Sequence, residues 1–359
     1  MENTEPKDLL VAGDCLRGRW TITRRIGGGG FGQVYEAQDR IDRHRVAVKV
    51  ERRHAAKPVL RMEVTLLKRL QGCRYVCAFL GCGRTELVNY IVMQMQGPNL
   101  SELRRAQEDQ KFSPSTSLRL IYEALQCIVA VHAEGFLHRD IKPSNFAIGS
   151  TKDTVRKVYI LDFGLARQYV DMDGDLRPER PYVGFRGTVR YASLNAHMRK
   201  ELGRHDDLIS LFYMAVEFLT GELPWRKIKE KERVASMKKL WSPSSLLKND
   251  YSELERVFHY VSDLDYHTKP DYSFIQCLLC CCMLSKGIRP EDPFDWEADG
   301  SKACSYSSQG GGGESVINNR FHSTRPRSCC ADAATPLQHG VADLSQLGVS
   351  SDEWAPLEM

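Results

Sequence analysis

The stretch His138-Arg139-Asp140-Ile141-Lys142-Pro143-Ser144-Asn145, followed by Asp162-Phe163-Gly164, decides the fold of this chain. Its residue types suit one kind of chemistry. Phosphoryl transfer requires a carboxylate that orients an attacking hydroxyl, oxygen ligands that hold Mg²⁺ against the phosphates, and a cation beside the transferring group. Either motif alone is a modest signal, but the two in this order are a strong one. Together they predict phosphoryl transfer.

Four residues of these motifs fit the separate tasks. Asp140 is expected to orient the attacking hydroxyl, and Lys142 to stabilise the transferring group. Asn145 and Asp162 are expected to hold the metal ion. A helix-capping or turn aspartate is the alternative interpretation of Asp140. Such an aspartate does not predict an asparagine five residues later and Asp-Phe-Gly beyond it.

A glycine-rich run lies upstream of these motifs. The residues Gly27-Gly28-Gly29-Gly30-Phe31-Gly32 contain the spacing G-x-G-x-x-G, and Val34 follows. Glycine lets backbone N–H groups approach phosphate oxygens because it has no Cβ. Dinucleotide-binding folds place this spacing between a strand and a helix. Here a strand pattern stands on each side, Trp20–Thr23 before and Val34–Ala37 after, which favours a nucleotide-phosphate loop within a hairpin.

Lys49 stands among apolar residues in the predicted strand Val46–Val50. That is a costly place for a charge without a partner. We expect Lys49 to bind nucleotide phosphates and to pair with a carboxylate on a helix. Glu63 is the best candidate, and Glu51 is a poor one because it stays on the same strand. A lysine that snorkels to the surface is the alternative.

The hydrophobic pattern changes along the chain from β-rich to helical. Strands are predicted at 20–23, 34–37, 46–50 and 90–93, with one helix around 62–70. Gly97-Pro98 marks a connector. A helix then begins at Ser113-Pro114 and ends at Gly135, and the stretches Leu208–Leu219 and Phe274–Leu284 are apolar enough to be buried helices. The fold class predicted is α+β.

Composition excludes several classes of protein. Of 359 residues, 42% are hydrophobic and 27% charged, and no apolar run approaches the roughly 18 residues of a membrane span. The polar start predicts no signal peptide, and a net charge of +4 is too small to indicate nucleic-acid binding. Twelve cysteines are irregularly spaced, and Cys277-x-x-Cys280 lacks a second pair, so we expect buried, reduced thiols in the cytosol. After Trp296 the composition turns rich in Ser and Gly, and residues 298–359 are predicted to be disordered.

From about Trp20 to Trp296 the sequence resembles a eukaryotic protein kinase domain. Kinases usually close the activation segment with Ala-Pro-Glu, whereas this chain has Ser193-Leu194-Asn195, which resembles the casein kinase 1 group. Four further stretches look most like the tau-tubulin kinases of that group: Gly27–Gly32, Arg204–Leu208, Leu223–Lys229 and Phe294–Glu297.

This resemblance implies a bilobal fold with ATP and Mg²⁺ as cofactors. It implies a lead-in at 1–19, a kinase domain at 20–297 with an N-lobe (20–93), hinge (94–97) and C-lobe (98–297), and then the tail. Lys142 and Thr188 imply transfer to serine or threonine hydroxyls, with Thr188 in contact with Asp140, and Asp207 is expected to anchor the catalytic loop. The nucleotide site implied comprises Ile26, Gly27, Gly28, Gly29, Gly30, Phe31, Gly32, Val34, Ala47, Lys49, Glu63, Met93 as gatekeeper, Gln94 and Met95 with Gln96 in the hinge, and Asp162.

The resemblance also bears on substrates. Basic residues are abundant around the activation segment, and Arg190 and Lys229 are expected to bind a phosphate or acidic side chain of the substrate, the alternative being a solvated charged face. The resemblance implies a monomeric, cytoplasmic serine/threonine protein kinase that phosphorylates tau and tubulin and associates with microtubules. The nucleus stays open as a second location. Two alternatives stay open: a pseudokinase scaffold of the same fold, and a divergent form that folds poorly because of changes after residue 209.

Overall fold

A computed structural model describes residues 8–29, 32–248 and 250–298 of the chain. The first part forms one antiparallel sheet in the order β1-β2-β3-β4-β6-β5. Its strands are β1 Cys15–Leu16, β2 Trp20–Gly29, β3 Gly32–Asp39, β4 Arg45–Arg52, β5 Phe79–Arg84 and β6 Val88–Gln94. Helix α1, Leu60–Arg69, crosses between β4 and β5. The strands and the helix predicted for this part are thus confirmed.

The alternating pattern of β4 explains how the sheet buries both of its faces. Val46, Val48 and Val50 join one apolar cluster, together with Trp20 and Tyr35. The intervening residues of β4 point to the opposite face, because successive side chains alternate along a strand. On that face the strand presents a lysine to the interior of the molecule. The sheet therefore delivers a charged group into a mostly apolar setting.

Strand β5 is an element that the sequence pattern did not reveal. Its sequence contains Gly81 and Gly83, and glycine is a poor strand former. The glycines are required by packing, because a Cβ at Gly81 would lie 2.8 Å from the Trp20 ring and one at Gly83 would lie 2.6 Å from the Tyr90 hydroxyl. Close packing against two aromatic rings therefore takes precedence over local propensity here.

The second part of the chain is helical. Its helices are α2 Leu100–Arg105, α3 Pro114–Ala133, α4 Leu194–His197, α5 Arg204–Thr220, α6 Lys231–Leu240, α7 Pro243–Leu246, α8 Ser252–Ser262, α9 Tyr272–Ser285 and α10 Asp295–Ala298. Two short antiparallel pairs accompany them, β7 Phe136–Leu137 with β10 Arg167–Gln168, and β8 Phe146–Ile148 with β9 Val158–Ile160. The β-rich and helical parts give the bilobal kinase architecture that the resemblance implied.

Helices α3 and α5 form the centre of the helical lobe. Helix α3 begins as predicted, with Pro114 at its first position and the Ser113 hydroxyl accepting a hydrogen bond from the Thr116 N–H at 3.2 Å. Helix α5 is buried over nearly its whole length, as expected of an apolar stretch. Ile209, the residue at which the sequence begins to diverge, is itself a core residue with 7% exposure.

Helix α9 corrects the prediction of a fully buried, thiol-rich helix. Ile275, Leu278, Leu279 and Cys282 are buried. The thiols on the other side are not, since Cys277 and Cys281 are exposed and Cys280 is partly exposed. With 3.6 residues per turn, an apolar helix packed on one side only must leave its opposite residues in solvent.

Residues 289–298 fold back across the helical lobe. The Asp295 carboxylate accepts hydrogen bonds from the Ser113 N–H at 2.7 Å and from the Thr116 hydroxyl at 2.8 Å. The Phe294 ring stacks on Trp296 and lies 4.1 Å from the Arg119 guanidinium. Residues 298–359 were predicted to be disordered. Apart from Ala298, these residues lie outside the described ranges. Within those ranges no helix is long and apolar enough to cross a membrane.

Candidate active site

The nucleotide-facing surface is assembled by the register of the sheet. Gly27 lies opposite Val34 across β2 and β3, Val34 lies opposite Lys49 across β3 and β4, and Ala47 lies opposite Met93 across β4 and β6. Residues directly opposite each other share a face of a sheet. Five of the predicted nucleotide-site residues are therefore brought together on one surface.

The glycine run lies partly inside the sheet. Gly27 to Gly29 belong to β2, with Gly28 opposite Gln33 and Gly29 opposite Gly32, so the strand is longer than the sequence predicted. Gly30 and Phe31 lie outside the described residues. Ile26, at the approach to the run, is 40% exposed. The backbone on both sides of the tip is thus held by ladder hydrogen bonds.

Lys49 makes the ion pair predicted with Glu63 and a second one with Asp162 that was not predicted. Its Nζ lies 2.6 Å from Glu63 Oε2 and 2.8 Å from Asp162 Oδ1. Glu51 is occupied elsewhere, since its Oε2 accepts hydrogen bonds from the Val59 and Leu60 N–H groups at the start of α1. Glu51 thus caps α1, the helix that carries Glu63. Glu63 in turn holds Lys49 in position.

Burial and the neighbouring charges act in opposite directions on the pKa values of Lys49 and Asp162. Burial alone would lower the pKa of Lys49, but the carboxylates of Glu63 and Asp162 outweigh burial and raise it. Burial likewise opposes ionisation of Asp162, yet the charge and hydrogen bond of Lys49 lower the pKa of Asp162 to about 2. Lys49 is therefore a cation and Asp162 an anion at neutral pH.

Asp140 lies at the centre of a second cluster. Its Oδ1 accepts a hydrogen bond from the Thr188 hydroxyl at 2.8 Å, and its Oδ2 accepts one from Lys142 Nζ at 2.6 Å. Lys142 Nζ is also 3.3 Å from the Thr188 hydroxyl. The Asn145 side-chain amide donates to the Asp140 carbonyl at 2.9 Å. Asp140 thus contacts each of the other three predicted catalytic residues, although Thr188 lies 48 residues after it in the sequence.

The backbone before Asp140 is fixed from beneath by helix α5. The Asp207 carboxylate accepts hydrogen bonds from the His138 and Arg139 N–H groups, each at 2.8 Å, and its Oδ2 lies 3.0 Å from His132 Nε2. Burial opposes ionisation of Asp207, but its hydrogen bond to His132 and the other donors lower its pKa. A buried carboxylate thereby holds Arg139 in the left-handed conformation, with φ at 64°.

The residues of the predicted hinge follow Met93 directly, at the end of β6. The Gln94 N–H donates to the Ala78 carbonyl at 2.9 Å, and the Gln94 carbonyl accepts a hydrogen bond from the Gln96 side-chain amide at 3.5 Å. The Met95 carbonyl accepts a hydrogen bond from the Ser150 hydroxyl at 2.9 Å. Ser150, a partner that the sequence gave no reason to select, thus fixes the peptide that precedes Gln96.

The proposed anion-binding residues are placed differently from each other. Arg190 Nη1 lies 3.3 Å from Glu217 Oε1. The backbone carbonyl of Arg190 accepts a hydrogen bond from Trp225 Nε1 at 2.8 Å. A cavity of about 500 Å³ lies beside it, and Arg226, Arg190 and Lys142 are its basic lining residues. Lys229 is exposed and does not line this cavity. Arg226, which belongs to the same basic stretch of sequence, lines the cavity.

Two buried charged residues near this cavity were missed by sequence reasoning. Glu217 is fully buried and accepts a hydrogen bond from the Tyr191 hydroxyl at 2.5 Å. Lys238, on α6, is 5% exposed and donates to the carbonyls of Val189 and Ala192 at 2.8 and 2.6 Å. Its sequence signal is Val234, one helical turn earlier, because both residues share the buried face of α6.

The residues present fit a magnesium ion held jointly with a nucleotide. The amide nitrogen of Asn145 is committed to Asp140, which leaves its oxygen as the atom suited to a cation, and Asp162 adds a carboxylate. Mg²⁺ typically takes one or two protein oxygens together with phosphates and waters. In the described ranges no group of three or more His, Cys, Asp or Glu side chains is arranged as a metal site by itself.

The fold, the paired Lys49 and Glu63 and the Asp140 cluster are those of a phosphoryl-transfer enzyme domain. The protein kinase domain family matches this chain over residues 20–286. The chain therefore belongs to the protein kinase family.

Two curated relatives illustrate the similarity. A probable serine/threonine-protein kinase of Dictyostelium discoideum is 46% identical over 296 residues, which is 82% of this chain and 60% of that protein. Serine/threonine-protein kinase spe-6 of Caenorhabditis elegans is 33% identical over 287 residues, 78% of this chain and 76% of that protein. This chain thus spans only part of the length of the Dictyostelium relative.

Proposed function

We propose that this chain is a serine/threonine protein kinase that transfers the γ-phosphoryl group of ATP to hydroxyls of protein substrates. One observation carries the proposal: the Thr188 hydroxyl lies between Asp140 and Lys142, close to the complete set Lys49, Glu63 and Asp162. Both relatives described above bear the name serine/threonine-protein kinase. A scaffold without catalysis would be expected to lack one of these groups.

We propose a task for each residue. With ATP and Mg²⁺ bound, the metal ion neutralises charge on the phosphates. Lys49 is held by Glu63 in position to bind the phosphates, and Asn145 and Asp162 present oxygens to the metal. Asp140 accepts a hydrogen bond from the substrate hydroxyl and holds it in line for attack, while Lys142 provides positive charge beside it.

The finer class that we propose is the casein kinase 1 group, with greatest similarity to the tau-tubulin kinases. Its support is the segment Ser193-Leu194-Asn195. Ser193 caps α4, and the Asn195 side-chain amide donates to Asp206 Oδ1 at 3.1 Å. Asn195 stands where kinases usually carry the glutamate of Ala-Pro-Glu. On this basis we propose tau and tubulin as substrates and the cytoplasm, including microtubules, as the location.

Phosphoryl transfer is tested with variants of Lys49 and Asp140 and with a control variant at an exposed lysine. Lys49→Met and Asp140→Asn should each lower the rate of Mg·ATP-dependent phosphorylation of a mixed serine/threonine peptide by at least ~10²-fold, because each removes a main electrostatic contact. Lys152→Met, at an exposed lysine, serves as control and should leave the rate unchanged. Phosphate incorporation is measured by mass spectrometry. Near wild-type rates in both site variants would contradict the mechanism.

Substrate preference is tested with a peptide library. Each peptide is offered with and without a phosphorylated residue near the acceptor, alongside purified tau and tubulin. Strong preference for the pre-phosphorylated form, lost in Arg190→Gln and Arg226→Gln, would support a substrate anion site at the cavity beside Arg190. Equal rates for both forms would contradict it.

A further inference from the structure

A second basic cluster includes residues of the activation segment that precede Thr188. It surrounds a cavity of about 110 Å³, and its cationic lining residues are Arg139, Arg167, Arg180, Arg186 and Lys200. Among the residues that line this cavity, Glu201 is the one carboxylate. Arginines packed this closely repel each other unless an anion lies between them.

Glu201 supplies that anion from a buried position. Its side chain is 2% exposed, and its two oxygens accept hydrogen bonds from Arg180 Nε at 2.5 Å and Arg180 Nη2 at 3.0 Å. Arg167 Nε lies 3.5 Å from Glu201 Oε1. Two parallel hydrogen bonds between guanidinium and carboxylate form the strong, directional type of ion pair. Burial opposes ionisation of Glu201, but the hydrogen bond and charge of Arg180 and the charge of Arg167 lower its pKa.

The two ion-pair partners of Glu201 lie at separate points of the segment between Asp162 and Thr188. Arg167 lies on β10, shortly after Asp162, and Arg180 lies in the segment that leads to Thr188. Arg139 immediately precedes Asp140, and its Nε donates to the Leu165 carbonyl at 2.7 Å. Burial, followed by repulsion from Arg167 and Arg180, lowers the pKa of Arg139 to about 10, whereas Glu201 acts in the opposite direction. Arg167 also lies opposite Leu137 in the β10–β7 pair, directly before the catalytic loop, so the ion pairs of Glu201 connect Arg180 to the strand pair that leads into this loop.

We propose that the Glu201 carboxylate is a built-in anion that fixes the activation segment against the catalytic loop. In kinases regulated by phosphorylation, an added phosphate orders this segment through new arginine contacts. Here a side chain of the protein carries the anion, so the ordered arrangement forms without modification. Glu201 is on this view a positioning residue, and its effect on phosphoryl transfer rests on the function proposed above.

The test compares Glu201→Gln, Glu201→Ala and, as control, Glu179→Gln, an exposed carboxylate of the same segment. Glu201→Gln should lower kcat/KM on the serine/threonine peptide by roughly tenfold or more, within the range of coupling between distant sites. It should also be cut faster by trypsin after the exposed Arg186, followed by mass spectrometry. Sodium formate, which fits the space left by the missing carboxylate, should restore part of the activity of Glu201→Ala more than sodium chloride at equal ionic strength. Glu179→Gln should behave as wild type.

Each of these measurements either supports or overturns the positioning role of Glu201. Wild-type rates and wild-type trypsin resistance in Glu201→Gln would overturn the inference, and so would equal effects of formate and chloride. If Glu201→Gln fails to fold, Arg180→Gln replaces it, since Arg180 is 42% exposed. That variant should show the same two losses, and they should be absent if the inference is wrong. The trypsin measurement needs no catalysis, so a wild-type protein that transfers no phosphate would contradict the proposed function and still leave the positioning role decided.

Discussion

At the scale of single residues, the site is a set of charges held in a low-dielectric setting by their partners. Lys49 is 9% exposed at its side chain and is balanced by one carboxylate from α1 and one from the loop after β9. Asp207 holds the catalytic loop from within the core. These groups are functional because their partners fix both their charge and their position.

Acid sensitivity should follow from Asp162. Its pKa is about 2 in the folded chain, against 3.8 as the ordinary value, so the unfolded chain binds more protons than the folded chain between these values. The stabilisation is complete above about pH 4 and is lost as the pH falls towards 2. It should amount to on the order of 2 kcal/mol, reduced by partial exposure of the side chain.

Urea unfolding of wild type and Asp162→Asn at pH 5, 4 and 3 measures this contribution. The difference in unfolding free energy between the two proteins should narrow as the pH falls, because only the wild type loses the ion pair. A difference that stays constant over this range would contradict the assignment of the lowered pKa to Asp162.

At the scale of elements, how much the sequence predicted depends on whether a residue's partner is local. Strand β4 and helix α3 were predicted correctly because their patterns and caps lie within the element itself. The pairing of Lys49 with Glu63 was also correctly anticipated, since only one carboxylate stood on a helix close by. Strand β5 was missed because its glycines serve contacts with other strands, and the exposed thiols of α9 were misjudged because apolar composition does not reveal which face is covered.

Helix α6 should influence peptide binding through Lys238. Its ammonium donates to the carbonyls of Val189 and Ala192, directly after Thr188, and lies 5.4 Å from the centre of the Trp225 ring. Lys238→Met should raise KM for the peptide roughly tenfold, because two buried carbonyls lose their donor, while KM for ATP stays the same.

The control for this prediction is Lys239→Met, the exposed neighbour on the same helix. Steady-state kinetics with peptide and ATP varied separately distinguish the two substrates. Equal peptide KM values in the Lys238 and Lys239 variants would show that the contact does not shape the peptide site.

At the scale of the whole molecule, distant parts of the chain stabilise each other. The Asp295 carboxylate contacts the Ser113 amide across 182 residues of sequence, and Arg119 donates to the carbonyls of Asp292 and Pro293 at 2.7 and 3.0 Å. Sequence reasoning could not pair these residues, because no pattern links a helix cap to a carboxylate so far along the chain. The fold class was predictable, whereas its long-range closure was not.

Removal of this closure should destabilise the domain without altering its chemistry. Asp295→Ala should reduce the free energy of unfolding by about 1–2 kcal/mol, the scale of a lost helix cap. Glu291→Ala, at an exposed carboxylate nearby, is the control. Thermal unfolding followed by circular dichroism gives the comparison, and equal Tm values for both variants would contradict the role of Asp295.

The two ion pairs of Lys49 also differ in when they can form. Glu63 lies 14 residues after Lys49, whereas Asp162 lies 113 residues after it. During synthesis the N-terminal part of a chain emerges first. The sheet and α1 can therefore bring Lys49 to Glu63 early. Asp162 is synthesised only after helix α3 of the helical lobe has been made. A nascent chain of this protein thus completes the Lys49–Glu63 pair well before Asp162 can join it, and assembly of the proposed active site is a late event in its folding.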